Sequence, residues 1–220
     1  MRRLAGIILV LAFILISVSA CSLNDTLNQL LGGQSADRVL LVDNFTDPMS
    51  GWKVWVGEDG SSIDYSNGAL RIYVNRAQYD YWSVAGKNYE DVHLESDIVK
   101  GDGPDDNDYG LICRYRDQDN FYAFVISSDG YAGIIKVKDG AYQVLSGESL
   151  QYVEAVRRGN DRNRLQAICA GTVLKFSVNG ILLFEVTDAD FTSGDVGVIA
   201  GAYDTPGVEI LFDNFAVLKP

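Results

Sequence analysis

The amino-acid sequence predicts an all-β domain, a sandwich of two antiparallel sheets, and three observations carry that expectation. From Val39 onward no window keeps an apolar period of 3.6 residues. In its place stand about fifteen short apolar or alternating runs, parted every 8–12 residues by turn dipeptides, which is the pattern of sandwiches and barrels. The composition, 47% hydrophobic with four Pro in 220 residues, excludes a disordered or collagen-like chain.

The predicted strands are 39–45, 53–56, 62–65, 69–75, 81–85, 92–99 and 109–116, followed by 121–127, 131–138, 141–145, 164–170, 173–178, 181–186, 196–202 and 208–218. Asn179-Gly180 is a two-residue hairpin turn of the primed type, where positive φ favours Asn and Gly. Asn67-Gly68, Asp129-Gly130 and Asp139-Gly140 are similar signals. The one helix-like patch in the domain is short and covers 150–158. No repeat of solenoid or propeller period aligns with itself.

An address precedes the domain. Arg2 and Arg3 lead into residues 4–20, a run without charge or proline that ends in Val18-Ser19-Ala20-Cys21. Secretory signals have this three-part layout. The cysteine makes it resemble a bacterial lipoprotein signal, which implies cleavage before Cys21 and a diacylglycerol thioether on its sulfur. Acyl chains, palmitate among them, would then hold the protein to a membrane. The alternative is an uncleaved anchor, for which residues 4–20 are at the lower limit of length. The expected organisation is a signal peptide at 1–20, a lipidated tether at 21–38 and the sandwich at 39–220. It places an extracytoplasmic domain at the cell surface or on the periplasmic face.

Charge and residue counts narrow the function. A net charge of −12 argues against nucleic acid, whose phosphates need a basic surface. A single histidine excludes a multi-histidine zinc site and leaves little for a Ser-His-Asp triad.

Several segments resemble the concanavalin A-like lectin/glucanase superfamily. They are Asp43-Asn44-Phe45 with Gly51-Trp52, Tyr109-Gly110-Leu111-Ile112-Cys113-Arg114 and Asn120-Phe121-Tyr122-Ala123-Phe124. Leu174-Lys175-Phe176-Ser177-Val178-Asn179-Gly180, Gly194-Asp195-Val196-Gly197 and Phe212-Asp213-Asn214-Phe215 follow. The nearest branch is similar to 3-keto-disaccharide hydrolases and laminin-G-like modules. The resemblance implies a jelly roll whose concave face holds sugar, with Trp52 packed in the core. It also implies a structural calcium, for which Asp213 matches the last-strand aspartate and Asp43 is its neighbour.

The glycoside hydrolase family 16 branch carries Glu-x-Asp-x-x-Glu. Here Glu95-Ser96-Asp97-Ile98-Val99-Lys100 keeps two acids and puts Lys100 in the proton donor's place, so that retaining mechanism fails. Three functions remain: a noncatalytic module for carbohydrate or a surface polymer, an interaction module without a small ligand, and a keto-disaccharide hydrolase.

Two groups of residues are candidates for ligand contact. Trp55, Tyr79, Tyr81 and Trp82 put rings beside polar residues near loops, as sugar stacking requires; ordinary strand packing is the alternative. His93, Glu95 and Asp97 alternate with apolar neighbours and form a polar row. The row either meets sugar or is a solvated face paired with basic residues, for which Arg114 and Arg116 alternate suitably. The acidic loop at 101–108 is no EF-hand, because Cys113 occupies the position of the twelfth-residue Glu. With Cys21 used for lipid, Cys113 and Cys169 form an even pair in an exported protein, which suggests a disulfide. Cys113 shares its face with Leu111 and Tyr115, and Cys169 with Leu165 and Ala167, so all are expected to point inward; two buried free thiols, or strands too far apart to bond, are the alternatives.

Overall fold

The structure, a computed structural model, describes residues 38–220. The expected signal peptide and residues 21–37 of the tether, Cys21 included, lie outside the described residues. The unit from Val39 to Pro220 is all-β. Its strands are β1 (Val39–Asp43), β2 (Trp55–Val56), β3 (Ser62–Ser66), β4 (Ala69–Val74), β5 (Tyr79–Val84), β6 (Val92–Asp102), β7 (Asn107–Asp117) and β8 (Asn120–Ile126). Then come β9 (Tyr131–Lys138), β10 (Ala141–Val144), β11 (Gln151–Tyr152), β12 (Asn163–Ala170), β13 (Val173–Val178), β14 (Ile181–Thr187), β15 (Asp195–Ala202) and β16 (Val208–Leu218).

Two antiparallel sheets hold them. The first runs β14-β13-β12-β6-β16-β4-β3-β2, with β1 also paired to β16. The second runs β10-β9-β8-β7-β15-β5, with β11 added to β9. Alternation supplies the core. Leu70, Ile72 and Val74 of β4 and Leu165 and Ala167 of β12 point inward from the first sheet. Leu111 of β7, Phe124 of β8 and Val198 of β15 meet them from the second. Phe124 and Phe176 touch edge to face across the gap, with centroids 5.7 Å apart. Trp52 is buried between Phe45 and Phe215 at centroid distances of 5.2 and 5.0 Å.

Cys113 on β7 and Cys169 on β12 form a disulfide with Cα atoms 6.8 Å apart, joining one sheet to the other. The inward expectation for both cysteines is met, but that for Tyr115 is not. Arg114 takes φ 52°, and the β7–β8 and β7–β15 registers shift there. A bulge of this kind reverses the alternation. Tyr115 therefore leaves the inter-sheet core and packs on the outer side of the second sheet.

The helix-like patch at 150–158 is not a helix. Gln151 and Tyr152 pair with Ala132 and Tyr131, and turns follow. The three-residue apolar spacing instead serves two clusters. Leu150 docks on the outer side of the second sheet, while Val153 and Val156 join the inter-sheet core.

That outer side positions the site. It carries a second apolar cluster of Ile112, Phe121, Ala123, Val125, Ile135, Val137 and Ile199. Strands β10 and β5 are opposite edges of the sheet, which would stand about 24 Å apart in a flat sheet. Yet the Tyr142 hydroxyl of β10 donates to Asp80 Oδ2 of β5 at 3.1 Å. The sheet is curled about its second cluster, and this face is concave.

Candidate functional site

Three strands line up a carboxyl, a glycine and a carboxyl at one end of the concave face. In register, Gly201 of β15 lies opposite Asp80 of β5 on one side and Asp108 of β7 on the other. The glycine is required. A Cβ there would lie 2.0 Å from Asp80 Oδ1 and 2.1 Å from Asp108 Oδ1. The two carboxyl groups converge above it, close enough for each to perturb the other. Two carboxyl groups so placed are relieved when one keeps its proton.

Asp108 is the more buried of the two at 6% exposure, and burial, followed by the Asp80 charge, pushes its pKa well above the ordinary value. Burial raises Asp80 as well, while the Tyr142 hydroxyl and Asp108 pull it back.

Beside Asp80 opens a cavity of about 500 Å³, lined among others by Tyr79, Trp82, Asp119, Tyr142 and Tyr203. Its size is that of a small-molecule site. Trp82 lies on the face of Asp80, two residues along β5, and rests on Phe121 at 5.5 Å and Tyr115 at 6.4 Å. That backing holds the indole in place. Tyr142 arches across from the far edge and is 57% exposed.

A second cleft of about 300 Å³ shares the Tyr203 wall and adds Asp106, Asp129 and Tyr131. Burial, then Asp108, Asp80, Asp106 and Asp129, push the Tyr203 phenol upward. No Lys, Arg or His is among the residues lining either cleft.

The structure divides the candidates expected from sequence. Tyr79 and Trp82 line the cavity. Tyr81 stands between Asp80 and Trp82 and so faces the other way. Its ring lies 4.8 Å from Trp55, and its hydroxyl donates to Asp59 at 2.9 Å. Trp55 and Tyr81 thus pack at the edge of the inter-sheet core. The four rings do not form one groove.

His93, Glu95 and Asp97 lie on β6 of the first sheet, on its outward face. Their basic partner is Arg164 of β12, and not Arg114 or Arg116. Arg164 bonds Glu95 and, at 3.1 Å, Asp97. Gln166 donates to Glu95 at 2.9 Å, Asn214 to Asp97 at 2.9 Å, and His93 Nε2 is 3.2 Å from Glu95. Burial works against the Arg164 charge, yet the two carboxylates hold its pKa above the ordinary value. Arg114 is buried elsewhere and donates to the carbonyls of Phe191 and Glu90. Lys100, at the family's proton-donor position, is tied to Asp105 and the Gly103 carbonyl.

The calcium pair implied by the resemblance does not fit. Asp43 turns one oxygen to the Phe45 amide at 2.8 Å and the other to the Trp52 indole at 2.9 Å. Asp213 lies beside Asp97 and Arg162 in a cleft of about 170 Å³ on the first sheet. Among the described residues, no group of three or more His, Cys, Asp or Glu could hold a metal ion, and calcium takes six to eight oxygens.

Sequence reasoning missed Asp80, Asp108, Gly201, Tyr142 and Tyr203. One signal was available. Gly201 is an isolated glycine in an apolar strand, which marks a close approach. Asp108 was hidden in the acidic loop.

No protein-family model matches the chain, and no curated protein is significantly similar to it. Solved structures are. The carbohydrate-binding module CBM66 from Bacillus subtilis superposes with a TM-score of 0.58 at 19% identity, covering 78% of this chain and 97% of that one. A Bacillus subtilis protein of unknown function with a galectin-like fold gives 0.59 at 12% identity, over 83% and 96%. A Bacillus licheniformis beta-glucanase gives 0.58 at 12%, over 82% and 97%. Likeness at these identities shows the fold, a concanavalin A-like jelly roll.

Proposed function

We propose that the chain is a lipid-anchored carbohydrate-binding module, displayed outside the cytosol, that takes glycan in the concave cavity of its second sheet without catalysis. The observation that carries this reading is the Trp82 cavity. A ring backed by two further aromatics floors it, three tyrosines wall it, and the Asp80 carboxyl stands at one end. Rigid aromatic faces suit sugar C–H groups, and carboxyls suit hydroxyls. The similarity to a carbohydrate-binding module and to a galectin-like fold supports it. The leader sequence and Cys21 support the anchor.

The acid pair supports binding over hydrolysis. Retaining glycosidases need carboxyls about 5–5.5 Å apart and inverting ones about 6.5–9.5 Å, with a sugar between them. Asp80 and Asp108 converge on one point above Gly201, which leaves no such room between them. The keto-disaccharide hydrolase reading therefore has less support here.

A glycan array on the full-length protein in detergent, beside a Trp82→Ala variant, tests the proposal. Binding that is lost in the variant at unchanged melting temperature is expected. Silence on every glycan, or equal binding by the variant, would contradict it. Mass spectrometry of the membrane fraction tests the anchor: a chain starting at an acylated Cys21 is expected, and an intact leader with a free Cys21 thiol would refute it.

A further inference from the structure

The Trp82 cavity does not end the concave face, because a second cleft of about 300 Å³ adjoins it. Resting on the carbohydrate reading above, we propose that the two clefts are linked subsites for one extended, uncharged glycan chain. Trp82 takes one sugar, and the chain passes Tyr203 to a second ring platform made by Tyr131 and Tyr152.

Continuity comes first. Tyr203 is a wall of both clefts, so a single ring stands between them. Both lie on the concave face, since Trp82 from one and Leu150 from the other pack on the same outer cluster of the second sheet. Strand β15 ends at Ala202, beside Tyr203, and β9 begins at Tyr131. The sheet order β15-β7-β8-β9 puts three strand spacings between them, about 14 Å. Added to the first cavity, that length exceeds a disaccharide.

The far platform is a built feature. Tyr152 of β11 stands opposite Tyr131 of β9 in register, and the rings meet edge to face at 5.9 Å. Glycines seat the segment that carries Tyr152. A Cβ at Gly133 would lie 2.5 Å from Leu150 Cδ2, and one at Gly130 would lie 2.9 Å from the Tyr152 ring. The Ile134 amide donates to Ser146 Oγ at 3.0 Å, and Gln151 donates to the Ser146 carbonyl at 2.9 Å. The segment is thus pinned on the sheet, yet Tyr131 is 42% and Tyr152 53% exposed. Fixed aromatic faces open to water lose little freedom on binding and suit sugar C–H surfaces.

Ser127, Asp106 and Asp129 also line the second cleft and offer acceptors to sugar hydroxyls. No Lys, Arg or His lines either cleft. Such a path repels uronates and sulfated sugars and suits an uncharged chain.

Calorimetry on the full-length protein in detergent tests the linked subsites. The probes are disaccharides and hexasaccharides of cellulose, laminarin, xylan, mannan and chitin, and the same two lengths of whichever glycan the array ranks first. At least one hexasaccharide is expected to bind about tenfold tighter than its own disaccharide, beyond the gain from its extra registers. In a Tyr131→Ala/Tyr152→Ala variant that hexasaccharide should fall to the disaccharide's affinity. The disaccharide, held by the first cavity, should stay within about twofold. Tyr152→Ala alone, on a strand of two residues, serves if the double variant misfolds, and should remove part of the gain. Equal affinity for both lengths would overturn the second subsite and leave the carbohydrate reading standing. A gain that survives both tyrosine variants would overturn its seat at Tyr131 and Tyr152. A uronate or sulfated chain ranked first on the array would overturn the uncharged class. Silence of every pair and of the array would sink the carbohydrate reading itself, and the subsites with it.

Discussion

Each sheet turns one outward face away from the shared core, and each of those faces carries two close acids. On the first sheet Glu95 and Asp97 are matched by Arg164, Gln166 and Asn214, so every carboxylate oxygen has a donor from the fold itself. On the second sheet Asp80 and Asp108 converge over Gly201, with one tyrosine hydroxyl as donor to Asp80. The acids alone do not tell the two faces apart. The partners do. A carboxylate whose oxygens are all matched is part of the scaffold, and a cavity-lining acid without a basic partner, such as Asp80, is a candidate for ligand contact.

The comparison can be stressed from both sides. The largest effect should come from the link between the sheets. Replacing both Cys113 and Cys169 with Ala releases a loop of 56 residues and should cost about 4 kcal/mol in chemical denaturation. Arg164→Ala should cost about 3 kcal/mol, because it leaves a buried Glu95 short of its cation. Loss of under about 0.5 kcal/mol would show that this network is ornamental to stability.

On the concave face, Gly201→Ala drives a methyl into two carboxyl oxygens and should cost about 2 kcal/mol while abolishing ligand binding. The smallest effect has the opposite sign. Asp108→Asn should raise the melting temperature at neutral pH by about 2–4 °C. The sign follows from the proton. A carboxyl whose folded pKa is raised above the ordinary 3.8 contributes its stability below that value and loses it as pH climbs through the folded one. The wild-type chain should therefore gain on Asp108→Asn least near pH 4 and most at neutral pH and above. A gain that does not change with pH would contradict the buried acid.

The strands were legible because alternation and turn dipeptides are local. Asn179-Gly180 closes the hairpin between β13 and β14 as expected, with Asn179 at φ 52°. The disulfide was legible for the same reason, since Cys113 and Cys169 each sit on the inward beat of a strand. Tyr115 was not, because a bulge at Arg114 shifts the beat and a one-residue slip exchanges faces. Trp82 and Tyr79 could be proposed from their place beside polar residues near loops.

Asp80, Gly201 and Asp108 could not be assembled in that way. They come from three strands whose order, β5-β15-β7, is set by long-range pairing and leaves no local trace. Tyr142 is further still from inspection, because it reaches Asp80 only through the curl of the whole sheet. The polar row of His93, Glu95 and Asp97 was visible as a row, and its Arg164 partner was hidden by the same ignorance of register.

The most direct test is methyl NMR of the protein titrated with the strongest glycan from the array. The account predicts shifts at Val137, Val144 and Ile199, which floor the concave face, with Val99 and Leu211 beside the Asp97 cleft unchanged. Shifts confined to Val99 and Leu211 would place the ligand on the ion-paired sheet and contradict the account.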